Sequence, residues 1–122
     1  MTGPKKVLYA EDEYTNRKLI QIHLEKEGID CVLASDGHEA LIKFEDGHFD
    51  MVILDYYMPE MNGDQVAIAI RHENREIPII VITSDDRETE YLRSCGVNEI
   101  IIKPLQGYEP IRKILDYLRD DK

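Results

Sequence analysis

Short apolar runs alternate with amphipathic segments about five times along this chain of 122 residues. Because each run is followed by a segment with helical character, we expect βαβ units with right-handed crossovers and a parallel sheet. The third run is almost wholly apolar, as expected for a central strand that is buried on both faces. The predicted strands are Lys5–Ala10, Asp30–Ala34, Asp50–Leu54, Ile79–Ile82 and Glu99–Ile102.

The segments between the runs carry the start and stop signals of helices. Gly28 and Gly96 stand where glycine commonly ends a helix, and Pro110 suits the first turn of the last one. Either Asp36 or Ser35 caps the second helix. The apolar residues of the last segment follow the i, i+3, i+4, i+7 stripe of an amphipathic helix. The predicted helices are Tyr14–Glu27, Gly37–Glu45, Asp64–His72, Asp86–Ser94 and Pro110–Arg119.

Polar residues stand at the C-terminal ends of four of the predicted strands. Glu11 and Asp12 follow the first strand, Asp55 the third, Thr83 the fourth and Lys103 the fifth. In a parallel sheet these ends share one edge, and in open α/β sheets ligands bind at that edge. We therefore expect three carboxylates, a hydroxyl and an ammonium to meet there.

This combination of groups favours phosphoryl chemistry. Three gathered carboxylates repel one another unless a cation neutralises them, and all-oxygen ligation is what Mg²⁺ prefers, with Mn²⁺ as an alternative. An Asp55 carboxylate neutralised in this way can act as a nucleophile toward phosphorus. Lys103 can then clamp the incoming anion, and Thr83 can donate a hydrogen bond to it.

Each of these residues also has an ordinary structural interpretation. Glu11 or Asp12 alone could cap the next helix, Asp55 could be a loop acid, Thr83 could end a strand, and Lys103 could be solvated. The joint placement of all five at one edge favours a functional site.

Composition and charge exclude several classes of protein. The length fits a single domain, and a net charge of −10 argues against direct nucleic-acid binding, which needs clustered Lys and Arg. The apolar runs are all far shorter than the roughly 20 residues of a membrane span. The two cysteines, Cys31 and Cys95, lack metal or disulfide spacing, so we expect reduced structural thiols in a cytoplasmic protein.

The stretches that carry these residues resemble the receiver domain of two-component response regulators. The resemblance covers about the whole chain, and it implies one receiver domain over residues 1–122. The implied fold is a flavodoxin-like (βα)₅ sheet with strand order 2-1-3-4-5, which comes from the family and not from the hydrophobic pattern. The matching stretches are Val7–Glu13, Ile53–Gly63, Val81–Ser84 and Ile102–Pro104.

The resemblance also implies a role for each acidic position. Asp55 corresponds to the phosphoacceptor. Asp12 corresponds to a direct Mg²⁺ ligand and Glu11 to one that acts through water, and the backbone carbonyl of Tyr57 would supply a further ligand oxygen. Gly63 would permit the turn into the third helix.

The remaining site positions correspond to the part of a receiver that reads the phosphoryl group. Thr83 resembles the switch hydroxyl and Lys103 the lysine that pairs with the phosphoryl group. Lys103–Pro104 would be a cis peptide. Ser84 is small, as a phosphodonor would require in order to reach Asp55.

The chain departs from the family pattern at Ile100. Many receivers carry Tyr or Phe three residues before the lysine, and that aromatic swings inward when the switch hydroxyl moves. Ile100 cannot exchange a buried ring for an exposed hydroxyl tip, so signalling would rely on the loop after strand four or on the fourth helix. Tyr57 and Asp85 flank the path of hydrolytic water in the family, and we expect them to set the lifetime of the phosphate.

The resulting prediction is a cytoplasmic, regulatory phosphoacceptor that catalyses only its own phosphorylation and dephosphorylation. Its phosphodonor would be a histidine kinase or a histidine phosphotransfer protein, which docks near Asn16 and Arg17 if these are not simply a solvated helix face. Phosphorylation would control a downstream protein or an output domain. Homodimerisation, if it occurs, would use helix four, strand five and helix five. The alternative is a receiver fragment of a hybrid histidine kinase or multidomain regulator.

Other protein classes fit less well. A hydrolase of the haloacid dehalogenase type needs a second acid two residues after the nucleophile, and Tyr57 stands there. A flavin binder needs a glycine- and hydroxyl-rich phosphate loop after strand one, where the acidic residues 11–13 would repel the phosphate. A receiver that serves only as an interaction module would not need all five site residues.

Overall fold

A computed structural model describes residues 4–119 of the chain. Residues 1–3 and 120–122, which the prediction of one domain over residues 1–122 includes, lie outside the described residues. The strands are β1 (Lys6–Ala10), β2 (Asp30–Ala34), β3 (Met51–Asp55), β4 (Ile79–Thr83) and β5 (Glu99–Ile102). The helices are α1 (Tyr14–Lys26), α2 (Gly37–Asp46), α3 (Gly63–Glu73), α4 (Thr89–Ser94) and α5 (Glu109–Leu118).

The five strands form one parallel sheet in the order β2-β1-β3-β4-β5. Both the parallel sheet and the strand order are as predicted. Because β1 and β3 are neighbours in the centre of the sheet, the residues that end these strands lie side by side. The predicted carboxyl-end edge therefore exists, and the acids from β1 and β3 share its middle.

The sheet is buried on both faces, and alternate residues of each central strand enter different cores. On one face, Leu8, Val52 and Val81 belong to a core that also holds apolar residues of α2, α3 and α4. On the other face, Tyr9 and Ile53 belong to a core with apolar residues of α1 and α5. Burial on both faces explains why β3 reads as an unbroken apolar run.

Two predicted strands extend one residue further than the apolar pattern indicates. β3 ends at Asp55 and β4 at Thr83, both of which are buried. Asp55 pairs in register with Ile82, and Thr83 pairs with Ile102. The two candidate site residues are therefore held by the sheet itself rather than by loops.

The prediction of one continuous helix over Asp86–Ser94 is wrong at its start. Asp86–Glu88 forms a 3₁₀ turn, and α4 begins at Thr89. The Asp85 carboxylate accepts the N–H of Arg87 at 2.9 Å, and local bonds of this kind compete with regular helix. The result is a short α4 behind an irregular first turn.

The remaining sequence signals agree with the fold in detail. Asp36, rather than Ser35, caps α2 by accepting the N–H of Glu39 at 2.8 Å. Gly28 follows α1 in the left-handed region at φ +80°. Cys31 and Cys95 are both buried thiols. Among residues 4–119, the helices all fall short of the length and apolarity that crossing a bilayer requires.

Candidate functional site

Asp55 lies at the centre of the site. It is 4 % exposed, and its Oδ1 lies 3.0 Å from the Nζ of Lys103. The N–H of Tyr56, the next residue, donates to the carbonyl of Ile82 at 2.8 Å, so strand pairing continues past the carboxylate. Asp55 is thus a fixed, nearly buried carboxylate with one cation beside it.

Glu11 and Asp12 lie next to Asp55, as predicted. One carboxylate oxygen from each of these three residues lies within 4.8 Å of the others. Glu11 is fully buried and Asp12 is exposed, so one side of the cluster opens to water. Three carboxylates with access to solvent fit Mg²⁺, which takes oxygen ligands and keeps several waters.

The pKa shifts in the cluster show that its negative charge is only partly neutralised in the absence of a dication. Burial and the charge of Asp55 raise the pKa of Glu11 from 4.5 to about 7, against the opposing effect of Lys103. Burial also raises the pKa of Asp55, although Lys103 opposes the shift. Partial burial lowers the pKa of Lys103, but the Asp55 carboxylate outweighs it and the net shift is upward. One ammonium does not neutralise two buried carboxylates, and a bound dication would favour their ionised forms.

Thr83 ends β4, and Lys103 directly follows the neighbouring strand, β5. The N–H of Lys103 donates to the carbonyl of Thr83 at 2.8 Å, so the backbones of the two residues are joined. The Thr83 hydroxyl oxygen is buried and accepts the N–H of Asp85 at 3.2 Å. The Lys103–Pro104 peptide is cis, as the family resemblance implied.

A cavity of about 420 Å³ opens beside Lys103. Its lining includes Ser84, Pro104 and Asn16. Ser84 is exposed, so the small side chain expected here lies at an open approach to the site. The cavity gives a phosphodonor room next to the ammonium that pairs with Asp55.

The two proposed tuning residues differ in their surroundings. The Tyr57 side chain is 51 % exposed, and its ring meets Tyr56 edge-on with ring centroids 4.6 Å apart. The Asp85 carboxylate is bound by the Arg87 guanidinium at 2.8 to 3.1 Å. The hydrogen bonds from Arg87 lower the pKa of Asp85 from 3.8 to about 2. Asp85 therefore carries a charge that Arg87 largely balances.

Ile100 is a core residue in this structure. It is 7 % exposed, pairs in register with Val81 and belongs to the core between the sheet and α2, α3 and α4. An aliphatic side chain in this position fills space and has no polar tip to present to solvent. At the position where many receivers carry a mobile aromatic side chain, this chain therefore has a buried aliphatic one that is part of the core.

A family model for the response regulator receiver domain matches residues 7–115. The chain belongs to the response regulator receiver domain family. The match begins at the second residue of β1 and ends within α5, so it includes the whole sheet edge described above.

Curated relatives and solved structures agree with this assignment. The alkaline phosphatase synthesis transcriptional regulatory protein PhoP of Bacillus subtilis is 32% identical over 117 aligned residues, and the match covers 94% of this chain and 49% of PhoP. The transcriptional regulatory protein SrrA of Staphylococcus aureus is 32% identical over 115 aligned residues, and the match covers 93% of this chain and 47% of SrrA. The chain thus spans about half the length of these relatives.

Two solved structures that contain magnesium share the fold closely. The response regulator TrrA of Thermotoga maritima, in complex with Mg²⁺ and BeF, has a TM-score of 0.85 and 34% identity, covering 93% of this chain and 98% of its own. The receiver domain of the sensor histidine kinase PA1611 of Pseudomonas aeruginosa has a magnesium ion in its active-site cleft. Its TM-score is 0.85 and its identity 27%, covering 95% of this chain and 98% of its own.

Several residues that support this receiver site were not predicted. The Tyr9 hydroxyl donates to Oε1 of Glu11 at 3.0 Å, and the Arg17 guanidinium donates to the main-chain carbonyl of Glu11 at 2.7 Å. Asn16 and Arg17 are half-buried, so Arg17 is a support for the site as well as part of the α1 surface. The available signal was the i, i+2 spacing of Tyr9, on the first strand, and Glu11, directly after it.

A second unpredicted contact joins α3 to α4. The Tyr91 hydroxyl donates to Oδ2 of the buried Asp64 at 2.7 Å, and the Asp64 Oδ1 has no hydrogen-bond partner within residues 4–119. Asp64 follows Gly63, whose N–H donates to the carbonyl of Tyr56 at 2.7 Å. The contact therefore connects α4 to the turn that follows the candidate phosphoacceptor. We find no sequence signal that would have predicted it.

Gly63 begins α3, directly after the turn that it was expected to permit. A Cβ at this position would lie 2.6 Å from the carbonyl oxygen of Asp55, closer than real Cβ contacts come. The requirement for glycine is the close approach of α3 to the backbone of Asp55.

Proposed function

We propose that this receiver is a phosphorylation-controlled switch in which Asp55 is the phosphoacceptor. The observation that supports it most strongly is the placement of the nearly buried Asp55 carboxylate. Lys103 lies 3.0 Å away, two further carboxylates lie within 4.8 Å, and an open cavity adjoins Lys103. A structural ion pair would need only one acid for that lysine.

The reaction is transfer of a phosphoryl group from a phosphohistidine of a histidine kinase or phosphotransfer protein. An Asp55 oxygen attacks phosphorus, the P–N bond to the histidine breaks, and the imidazole leaves with the electron pair and takes up a proton. Water later attacks phosphorus in the acyl phosphate, which releases inorganic phosphate and restores Asp55. The chain promotes its own phosphorylation and dephosphorylation and turns over no other substrate.

Glu11, Asp12 and Asp55, together with the backbone carbonyl of Tyr57, would hold Mg²⁺. When bound, the ion supplies positive charge that offsets the charge of the carboxylates and of the transferring phosphoryl oxygens. Lys103 also neutralises charge, because its Nζ lies within hydrogen-bond distance of Asp55.

The conformational response to the phosphoryl group begins at Thr83. Its hydroxyl oxygen now accepts the N–H of Asp85, and a move toward a phosphoryl group on Asp55 would release that N–H. The residues just after Asp85 form the 3₁₀ turn that leads into α4. With Ile100 fixed in the core, we assign the outward signal to this turn and α4, as a shift between pre-existing states.

The lifetime of the phosphate depends on Tyr57 and Asp85 in this proposal. Tyr57 can shield the site because its ring is half-exposed beside Tyr56, and Arg87 restrains Asp85. A Tyr57→Ala variant is expected to change the dephosphorylation rate, measured by loss of the acyl phosphate. An unchanged rate would remove Tyr57 from this role.

The proposed partners follow from the family. The α1 surface near Asn16 would dock the phosphodonor, and the signal would pass to a downstream protein or an output domain. Self-association would use α4, β5 and α5. One receiver unit over residues 1–122 and a cytoplasmic location remain predictions.

The test of the phosphoacceptor is intact mass after incubation with Mg²⁺ and acetyl phosphate. We expect the wild-type protein to gain one phosphoryl group and Asp55→Asn to gain none. The circular dichroism spectrum of Asp55→Asn provides the control for folding. No gain by the wild-type protein with Mg²⁺ present, or an equal gain by folded Asp55→Asn, would refute the proposal.

A further inference from the structure

Tyr9 is a fully buried residue that places a hydroxyl against the acidic cluster. It is the fourth of the five residues of β1, is 0 % exposed, and packs in the core beneath α1 and α5. Its hydroxyl donates to Oε1 of Glu11 at 3.0 Å. Glu11 directly follows β1, and its N–H continues the pairing with β2 by donating to the carbonyl of Ala34 at 3.0 Å. The spacing of two residues therefore places the Tyr9 and Glu11 side chains on the same side of the sheet.

The two oxygens of Glu11 have different surroundings. Oε1 accepts from Tyr9, while Oε2 lies 3.9 Å from the Nζ of Lys103 and accepts the N–H of Glu13 at a long 3.4 Å. Arg17 and Ala34 hold the main chain of Glu11 by hydrogen bonds of 2.7 and 3.0 Å. The main chain and Oε1 are therefore fixed, and Oε2 is the oxygen that faces Lys103, the cation that also pairs with Asp55.

We propose that Tyr9 is a positioning residue for the cation site, acting through Glu11. The inference rests on the proposed function, in which Glu11 is part of the Mg²⁺ site. The phenol occupies one carboxylate oxygen from the core side and so selects the side-chain conformation that directs the other oxygen at the cluster. Such outer partners orient the groups around a metal, and their loss typically weakens metal binding about 10- to 100-fold.

A purely structural role for this hydrogen bond is the competing explanation. A buried tyrosine needs a partner for its hydroxyl, and a buried carboxylate needs donors, so the pair could simply satisfy each other. The two explanations differ in one measurable quantity. A structural bond affects the stability of the fold, whereas a positioning bond affects the affinity for Mg²⁺ and does so only while the Glu11 side chain is present.

The test is calorimetric titration of Mg²⁺ into the full chain and its variants, without a phosphodonor. Tyr9→Phe keeps the ring and removes the hydroxyl, and we expect its Kd for Mg²⁺ to rise about tenfold. Tyr117→Phe is the matched control, because the Tyr117 hydroxyl also donates to a glutamate, Glu99, at 3.2 Å but on α5 and β5. We expect its Kd to equal that of the wild-type protein.

A double-mutant cycle identifies the route of the effect. In a Glu11→Ala background, Tyr9→Phe is expected to cause no further loss of affinity, because the group through which Tyr9 acts is gone. An equal loss in both backgrounds, or an unchanged Kd for Tyr9→Phe alone, would overturn the inference. Failure of the wild-type protein to bind Mg²⁺ at all would instead refute the proposed cation site, and the inference with it.

A second measurement uses the wild-type protein and does not depend on the folding of a variant. A buried tyrosine hydroxyl that is hydrogen-bonded exchanges slowly enough for its proton to be followed by NMR. We expect the Tyr9 hydroxyl resonance to shift during Mg²⁺ titration with the midpoint of the calorimetric curve. A resonance that stays in place through saturation would show that the hydrogen bond and the cation site are independent.

Discussion

The acidic side of the site, formed by Glu11, Asp12 and Asp55, is held more firmly than its reading side, formed by Thr83 and Lys103 together with α4. On the acidic side, Tyr9 and Arg17 bind Glu11 directly, and Asp55 pairs within the sheet. On the reading side, Thr83 also pairs within the sheet. Its hydroxyl, however, has one hydrogen bond among the described residues, from the N–H of Asp85 in the next loop.

The helices behind the two sides show the same difference. α3, which packs against the backbone of Asp55, buries Gly63, Asp64, Val66, Ala67 and Ile70. α4 is six residues long, follows a 3₁₀ turn and buries Leu92. Segments with little buried apolar surface open at low free-energy cost. The comparison indicates that the acidic side is held in place by its packing, whereas α4 can change conformation at a lower free-energy cost.

The largest expected effect is on the affinity for Mg²⁺, which should fall when the acidic side is altered and stay unchanged when the reading side is altered. Asp12→Ala removes a carboxylate of the cation site, so we expect Mg²⁺ binding to weaken at least as much as on loss of an outer partner, about 10- to 100-fold. Thr83→Ala should bind Mg²⁺ like the wild-type protein, because the Thr83 hydroxyl belongs to the reading side. Calorimetry measures both, and an equal loss in the two variants would contradict the division.

The next effect concerns the packing behind Asp55. Gly63→Ala would place a Cβ 2.6 Å from the Asp55 carbonyl, so we expect a loss of about 1–3 kcal/mol in the free energy of unfolding in urea. The displacement of Asp55 should also slow phosphorylation by acetyl phosphate.

Gly107→Ala is the control for this variant. Gly107 has φ +67°, and a Cβ at this position would have no heavy atom of the described residues within 4 Å, so alanine there strains only the backbone. We expect some loss of stability and an unchanged phosphorylation rate. A Gly63→Ala variant that phosphorylates at the wild-type rate would show that Asp55 tolerates movement of α3.

The pH dependence of stability should run in opposite directions on the two sides. Without Mg²⁺, the raised pKa of Glu11 means that its contribution is fully present below about 4.5 and is lost as the pH rises through about 7. The lowered pKa of Asp85 means that its contribution is present above 3.8 and is lost as the pH falls toward about 2.

Urea unfolding across this pH range checks both signs. Glu11→Gln should flatten the decline in stability between about pH 4.5 and 7, and Asp85→Asn should flatten the acid limb below pH 3.8. Saturating Mg²⁺ should remove the first decline, because a nearby dication favours the ionised carboxylate. A decline that persists unchanged in Glu11→Gln would mean that Glu11 is not its source.

The smallest effect concerns the link between the two sides. Tyr91→Phe removes the hydrogen bond to Asp64, so we expect a slightly lower Tm and an unchanged affinity for Mg²⁺. The amides of α4 should respond less to phosphorylation, as measured by NMR shifts. A full response would show that the Tyr91–Asp64 contact does not transmit the signal from the turn after Asp55.

The sheet and the position of the site were predictable because they depend on local patterns. Apolar runs marked each strand, and parallel strands bring their carboxyl ends together. Asp12 and Asp55 were therefore expected to meet although they lie far apart in the chain. The strand order needed the family resemblance, since hydrophobicity does not encode which strands are neighbours.

Other features depended on contacts between distant residues or on geometry that composition does not carry. The bond between Tyr91 and Asp64 joins residues 27 apart on different helices. The 3₁₀ turn before α4 accompanies the hydrogen bonds between Asp85 and Arg87, whereas the sequence pattern predicted one helix over Asp86–Ser94. The Tyr9–Glu11 bond was within reach of the strand period, but a tyrosine in an apolar run resembles ordinary core packing.

If the acidic side is preformed and phosphorylation acts on the reading side, Mg²⁺ and a phosphoryl group should perturb different residues. A backbone amide NMR map, recorded first with Mg²⁺ and then with Mg²⁺ and beryllofluoride, separates the two effects. We predict that Mg²⁺ alone shifts the amides of Glu11, Asp12 and the loop after β3, and that beryllofluoride then shifts Thr83 through α4. A full α4 response to Mg²⁺ alone, or no α4 response to beryllofluoride, would show that the two sides are not divided in this way.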